Sequence, residues 1–129
     1  MKNFTVTTLL CLFTLHLFGQ RVHSGGDHSI LVCKNGDVYT AGDNFDGQLG
    51  NDTSVSEDVF KKVPGLDDVI SVQAGGSYSI ALQNNGSVWV WGNNYSGQLG
   101  LGNSAASSIF FPTKLDSIAR EMLEAEGSY

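Results

Sequence analysis

Apolar residues in this chain fall in short runs that are separated by segments rich in glycine and asparagine. Ile80 and Leu82 alternate with polar neighbours, which predicts a strand with one buried face. Residues 88–91 form a continuous apolar run, typical of a strand that is buried on both faces. Asn85-Gly86 lies between the two runs, and this pair tolerates the positive φ angles of a type I′ turn. The pattern therefore predicts a β-hairpin.

The same pattern occurs twice, at an offset of 50 residues. Segments 25–50 and 75–100 are identical at 13 of 26 positions without a gap, which indicates an internal repeat. In the second copy a predicted strand over 69–72 precedes the hairpin and another over 109–111 comes after it. A segment over 59–63 takes the latter place in the first copy. Four short strands in about 50 residues correspond to one β-propeller blade.

The positions shared by the two copies are mostly glycines, and glycine makes up 16 of the 129 residues. Glycines with this spacing are typical of positive φ angles or of close backbone approach, so we expect them to be structural. The signature residues are Gly25, Gly26, Asn35, Gly36, Gly42, Gly47, Gln48, Leu49 and Gly50 in the first copy, and Gly75, Gly76, Asn85, Gly86, Trp91, Gly92, Gly97, Gln98, Leu99 and Gly100 in the second.

The series GG-x-x-S-I, N-G-x-V and W-G-N-N-x-x-G-Q-L-G-x-G resembles the repeat of the regulator of chromosome condensation family, over about residues 22–118. The first copy departs from it, with Ala41 at the tryptophan position and Asn51-Asp52 where Leu-Gly is usual. The resemblance implies a seven-bladed β-propeller in complete members. It also implies one of two roles, nucleotide exchange on a small nuclear GTPase or protein-interaction scaffolding.

The expected fold is all-β, with two antiparallel four-stranded blades that form an incomplete propeller. Residues 1–20 read as a secretory signal peptide, expected as a short helix, because Lys2 precedes an uncharged apolar run over 4–18. The first repeat is expected over 21–68 and the second over 69–118. Residues 119–129 form a non-repeat tail whose composition favours a helix. Closing a ring typically requires at least about four blades.

The charge balance restricts the class of partner. Seven Lys and Arg against 13 Asp and Glu give a net charge of −6, whereas nucleic-acid binding requires a cationic surface. We therefore expect a protein partner, no nucleic acid, and no membrane contact after signal cleavage. Because each blade alone leaves one face uncovered, self-association through those faces is also expected.

Three candidate chemical sites are rejected on spacing. Residues 27–29 contain Asp, His and Ser, but neighbours on a strand point to opposite faces and cannot form a hydrolytic relay. Asp43, Asn44 and Asp46 supply oxygen donors, yet the Glu that ends a helix-loop-helix calcium loop is missing. No glycine-rich nucleotide loop occurs. We therefore expect no catalytic, cofactor or metal residues.

These observations predict a secreted or cell-envelope protein-interaction module without catalytic activity, made of repeats from a larger propeller. One alternative is a guanine-nucleotide exchange or regulatory factor for a small GTPase, and another is the binding domain of a truncated secreted enzyme.

Asn51, Asn85 and Asn94 match the N-glycosylation pattern, and the sequence leaves their modification open.

Overall fold

The computed structural model describes residues 21–102 and 107–115. They form two four-stranded antiparallel sheets, each a meander in which consecutive strands are hydrogen-bonded neighbours. The first sheet contains β1 (Arg21–Ser24), β2 (His28–Val32), β3 (Val38–Gly42) and β4 (Glu57–Lys62), and the second contains β5 (Val69–Ala74), β6 (Tyr78–Gln83), β7 (Val88–Gly92) and β8 (Ile109–Lys114).

The expectation of an all-β fold with two antiparallel four-stranded blades is confirmed. The predicted signal-peptide helix and the predicted C-terminal helix lie outside the described residues. Within the described ranges, no helix is long and apolar enough to cross a membrane.

The turn at each Asn-Gly pair differs from the predicted type I′ turn. Gly36 has a φ of 89°, but Asn35 keeps a negative φ, whereas a type I′ turn needs positive values at both central residues. The Gly36 N–H donates to the Cys33 carbonyl (2.9 Å) and the Cys33 N–H donates to the Asp37 carbonyl (2.8 Å). The loop is therefore a type I turn followed by a left-handed glycine.

The asparagine of each pair has a different role from the predicted one. The Asn35 Oδ1 accepts a hydrogen bond from the Asp37 N–H (3.1 Å), and the Asn85 Oδ1 accepts one from the Ser87 N–H (2.9 Å). This side-chain bond to the backbone two residues later closes an Asx turn. Asparagine is thus favoured for its carbonyl oxygen rather than for its tolerance of positive φ.

The hydrophobic core lies between the two sheets, where strands β1 and β2 face β5. Its largest cluster combines buried residues of both blades: Ile30, Val32, Val38, Val63, Leu66, Val69, Val72, Ala81 and Trp91. A smaller cluster contains Leu31, Cys33 and Tyr39, with Phe60 packed against it. Each sheet therefore buries one face against the other, which a single sheet cannot do alone.

The continuous apolar strand of the second copy is covered only in part. Val90 and Trp91 are buried, at 3% and 0% exposure, whereas Val88 and Trp89 are half-buried. The sequence predicts burial on both faces for the whole run, whereas burial in the structure changes along the strand: Val88 and Val90 share one face, Trp89 and Trp91 share the other, and on both faces only the later residue is buried.

Ile30→Ala is expected to lower the free energy of unfolding by about 2–5 kcal/mol, because the fully buried side chain leaves a cavity between the sheets. Ile70→Ala is the matched control, since Ile70 is 54% exposed on β5 and its loss should cost less than about 1 kcal/mol. Urea unfolding followed by circular dichroism measures both. Equal losses would contradict the placement of the core.

Candidate protein-interaction surface

The contact between the blades is organised around one main-chain carbonyl. The Gln48 carbonyl accepts hydrogen bonds from the Trp91 Nε1–H (2.8 Å) and from the Ser79 hydroxyl (2.8 Å). Both donors belong to the second blade and are completely buried. Because burying an unpaired donor of this kind costs free energy, the position of the carbonyl restricts where Trp91 and Ser79 can lie.

The loop that presents this carbonyl is held from inside by a buried asparagine. The Asn44 Oδ1 accepts from the Leu49 N–H (3.0 Å), while its Nδ2 donates to the Thr53 and Val55 carbonyls (2.8 and 3.0 Å). The Gln48 side chain also turns inward, donating to the Asp43 carboxylate (2.8 Å). The side chains thus fix the loop and leave the Gln48 carbonyl to face the neighbouring blade.

The second copy builds the same loop. The Asn94 Oδ1 accepts from the Leu99 N–H (3.1 Å), and the Gln98 Nε2 donates to the Asn93 Oδ1 (2.6 Å). Here, however, Gln98 is exposed, whereas Gln48 is only 1% exposed. The two copies therefore share a local structure and differ in whether a blade covers it.

His28 links the two blades at the same junction. Its Nε2 lies 2.9 Å from the Ser79 Oγ, and that hydroxyl already donates its proton to the Gln48 carbonyl. Nε2 must therefore carry the proton, and Nδ1 is a bare acceptor. This Nδ1 is a buried side-chain atom without a hydrogen-bond partner.

Burial lowers the pKa of His28 below its ordinary value of 6.5, although the nearby carboxylates of Asp43 and Asp27 act in the opposite direction. The imidazole is therefore held neutral in the folded chain. In the sequence His28 is considered only within the rejected Asp-His-Ser series over 27–29, and its bond to Ser79 is missed because 51 residues separate the two. The one available signal is that Ser29 and Ser79 are identical in the two copies.

The candidate calcium donors do not converge in the structure. One carboxylate oxygen of Asp43 accepts from the Gln48 side chain, the Asn44 amide nitrogen points into the loop, and the Asp46 carboxylate accepts from the Ser108 hydroxyl (2.8 Å). Among the residues that the structure describes, no group of three His, Cys, Asp or Glu side chains is placed to hold a metal ion.

A separate cleft of about 420 Å³ lies at one end of the first blade. Ala41 lines it, at the position where the second copy has Trp91, together with His28, Glu57, Asp58 and Phe60. The face of the first blade that carries Ala41 therefore lacks the tryptophan that anchors the second blade.

Apolar side chains remain fully or partly uncovered at several places on the described part of the chain. Phe45 and Tyr95, which occupy the same position in the two repeat loops, are 77% and 62% exposed. On the second blade, Ile80, Leu82 and Val88 are only half-buried. Exposed aromatic and aliphatic side chains of this kind are typical of protein-binding surfaces.

The two four-stranded sheets have the same topology and pack against each other as neighbouring units. Repeated sheets of this kind define a protein made of β-propeller blades. Two family models described as "Regulator of chromosome condensation (RCC1) repeat" match the chain, one over residues 35–82 and 85–125 and the other over 21–48 and 69–98. The chain therefore belongs to the RCC1 repeat family, as its motifs indicated.

Three solved structures have a similar fold. Yeast RCC1 (Prp20) bound to Kap60 has a TM-score of 0.70 and 21% identity, with 74% of this chain and 24% of that chain covered. Human WBSCR16 has a TM-score of 0.66 and 28% identity, with 74% and 25% covered. Prp20p from Saccharomyces cerevisiae, described with its binding to Gsp1p and histones, has a TM-score of 0.69 and 23% identity, with 75% and 25% covered.

The chain thus spans about a quarter of the length of these proteins. No curated protein sequence matches it.

Trp91→Phe is expected to destabilise the chain by about 2–4 kcal/mol, because it removes a buried donor to the Gln48 carbonyl and leaves unfilled space. Trp89→Phe is the matched control. The Trp89 Nε1–H also donates a hydrogen bond, to the Gln83 Oε1 (2.7 Å), but its ring is only half-buried, so we expect a loss of about 1 kcal/mol. Urea unfolding monitored by circular dichroism compares the two, and a larger effect at Trp89 would contradict the anchoring role of Trp91.

Stability should also depend on the protonation of His28. Because the folded-state pKa lies below the unfolded-state value, the unfolded chain binds this proton more readily, so stability is complete above about pH 6.5 and decreases as the pH falls below it. His28→Gln should reduce the loss of stability between about pH 7.5 and 5.5. Val55→Ser, at an exposed position without a titratable group, is the control and should keep the wild-type slope; equal slopes in all three chains would contradict this role of His28.

Proposed function

We propose that this chain is a secreted or cell-envelope module that binds protein through its propeller blades and has no catalytic activity. The observation that carries the proposal is the placement of the polar side chains at the blade junction and in the repeat loop. Gln48, Ser79 and His28 are buried in the contact between blades and Asn44 is buried inside its loop, whereas the rings of Phe45 and Tyr95 are exposed. Such a surface suits recognition of another protein.

The aromatic loop tips are the strongest candidates for direct contact with a partner. Phe45 and Tyr95 each come directly after the buried asparagine that holds the loop in place, so a rigid support carries an exposed ring. Aromatic residues that are presented in this way lose little conformational entropy on binding. The repetition of the feature in both blades gives the molecule two such rings.

Secretion is proposed from the apolar run over residues 4–18 and the preceding Lys2, which match a signal peptide. An export signal argues against the alternative of nucleotide exchange on a cytosolic or nuclear GTPase. The third possibility, a binding domain attached to a secreted enzyme, would use the same surface and differs only in the catalytic domain joined to the repeats.

Replacing both rings, by Phe45→Ser and Tyr95→Ser, is expected to reduce partner capture about tenfold or more while leaving the fold intact, because neither ring contributes to the core. The full chain with a C-terminal tag is expressed, recovered from outside the cell and used to capture proteins from the same compartment. Val55→Ser is the matched control, since Val55 is also exposed (63%) but is not an aromatic loop tip.

The same preparation tests the other parts of the proposal. Amino-terminal sequencing of the recovered chain should begin near residue 21. Retention of the whole chain inside the cell would contradict secretion, and capture that the double variant leaves unchanged would contradict the role of the loop tips. Faster nucleotide release from a small GTPase on addition of the chain would support the exchange-factor alternative instead.

A further inference from the structure

His28 contains a hydrogen-bond acceptor that no group in the described part of the chain uses. Its Nε2–H donates to the Ser79 hydroxyl, so Nδ1 has a free lone pair, and this atom is buried without a hydrogen-bond partner. The residue as a whole is only 3% exposed. Because a buried acceptor without a donor costs free energy, an atom of this kind indicates a donor that a ligand supplies.

The histidine forms part of the wall of the cleft at the end of the first blade, which Gly25 and Ala41 also line. Gly25 is next to the free nitrogen, since a Cβ on this glycine would lie 2.7 Å from Nδ1. The cleft has a volume of about 420 Å³. Sites for small ligands have volumes of about 300–1,000 Å³, so the cleft is large enough for one long side chain of a partner.

The other titratable residues in the cleft wall are all acidic. Asp27, Glu57 and Asp58 line the cleft, and among the described residues no lysine or arginine does. The Lys61 ammonium lies 2.7 Å from one oxygen of Glu57, but the lysine side chain is 57% exposed, and a surface pair of this kind contributes little to stability. The cleft therefore presents three carboxylates and one neutral acceptor, which favours an occupant with a positive charge and several N–H donors.

Each acidic residue of the cleft has a neutral counterpart in the second copy. One correspondence follows from the 50-residue offset of the repeat, and the others follow from the pairing of the fourth strand with the glycine that ends the third strand of each blade. The equivalent pairs are Asp27 and Ser77, Glu57 and Ile109, and Asp58 and Phe110. Both copies form the same four-stranded sheet, so the fold does not require the negative charges.

The counterparts in the second copy pack on the first blade. Trp91, which takes the position of Ala41, belongs to the core, and Ile109 packs against that core. Phe110 lies so close to Gly47 that a Cβ on the glycine would be 2.7 Å from the ring. Carboxylates in such places would lose their hydration under an apolar sheet, at a cost in free energy. The first copy therefore has a charged cleft where the second copy has a packing surface, and the cleft suits a polar occupant.

We infer that the cleft binds an arginine side chain of a protein partner. The inference rests on the proposed function and names a group that the partner supplies. A guanidinium group has five N–H donors in one plane, so it can donate to the His28 Nδ1 and to more than one carboxylate at once. Phe60 also lines the cleft, and guanidinium groups stack on aromatic rings. A lysine ammonium has three donors on a single nitrogen and matches this set of acceptors less well.

The test uses the full chain and three peptides with blocked ends, in which one arginine, lysine or citrulline lies between glycines. Citrulline has the shape of arginine without its charge. Titration calorimetry measures binding, and nitrogen NMR of the His28 ring reports contact at Nδ1. The arginine peptide is expected to bind about fivefold more tightly than the lysine peptide and about tenfold or more tightly than the citrulline peptide. The Nδ1 resonance should shift with the arginine peptide.

Three outcomes would overturn the inference. Equal binding of the arginine and citrulline peptides would show that the carboxylates have no part in recognition, and equal binding of the arginine and lysine peptides would contradict the choice of a guanidinium group. Free arginine is expected to bind more weakly than the peptide, because the acidic cleft repels its carboxylate. Tighter binding of the free amino acid would assign the cleft to a small molecule instead of a protein.

Two double variants test whether the cleft itself carries the binding. Asp27→Ser with Asp58→Asn removes two carboxylates from the cleft and should weaken binding of the arginine peptide about tenfold or more. Asp67→Asn with Asp68→Asn is the matched control, since it removes the same charge from exposed positions that precede β5 and should leave binding unchanged. Equal weakening by both would attribute the binding to net charge and contradict the inference.

Ala41→Trp introduces the residue that the second copy has at this position, so it should fill the cleft and abolish peptide binding while the fold is kept. Circular dichroism checks the fold. A folded variant that still binds the arginine peptide would show that the cleft is not the site. The peptides replace any natural partner, and the rings of Phe45 and Tyr95 are intact in every variant, so failure here is distinguishable from failure of capture outside the cell.

Discussion

The structure depends on one constraint, which is that a small antiparallel sheet must cover a face with another sheet before its strands are stable. In this chain the second sheet covers the first, and the position of the two sheets is set by one carbonyl. The Gln48 carbonyl accepts hydrogen bonds from two buried donors of the next blade. Apolar packing is non-directional and does not by itself fix the relative position of two sheets. The two hydrogen bonds fix the relative position, because a slip would leave the Trp91 and Ser79 donors unpaired in the core.

The loop that supplies the carbonyl explains why the repeat is rich in asparagine, glutamine and glycine. Asn44 replaces backbone partners that an irregular loop cannot provide for itself, and the Gln48 side chain bonds back to Asp43 instead of reaching a ligand. Polar residues that resemble a binding site in the sequence therefore form hydrogen bonds within the loop, and these bonds make the edge of the blade rigid. The side chains that this edge leaves exposed are the rings of Phe45 and Tyr95.

The fold could be predicted from the sequence because the two copies repeat the same alternation of strands and turns, and repetition is visible without tertiary information. The predicted turn type was wrong, because Asn-Gly suits both a type I′ turn and an Asx turn followed by a left-handed glycine, and only the loop length separates them. The junction of His28, Ser79 and Gln48 could not be predicted, since its members come from three loops or strands far apart in the chain. The identity of Ser29 and Ser79 in the two copies indicates that this position is part of the repeat pattern, but it does not show which residues Ser79 contacts.

The difference between Ala41 and Trp91 gives the pair of blades a direction. The acceptor carbonyl of one blade meets the donors of the next, so the contact between blades is head-to-tail, the kind of contact that closes a ring when the rotation per repeat allows it. The second blade has both donors, and they are used within the chain. The first blade has the serine but not the tryptophan, and the space beside Ala41 is a cleft with Glu57 and Asp58 at its wall. The equivalent loops at Gln48 and Gln98 are thus used differently, because the serine and tryptophan of the second blade bury the first, whereas Gln98 is exposed.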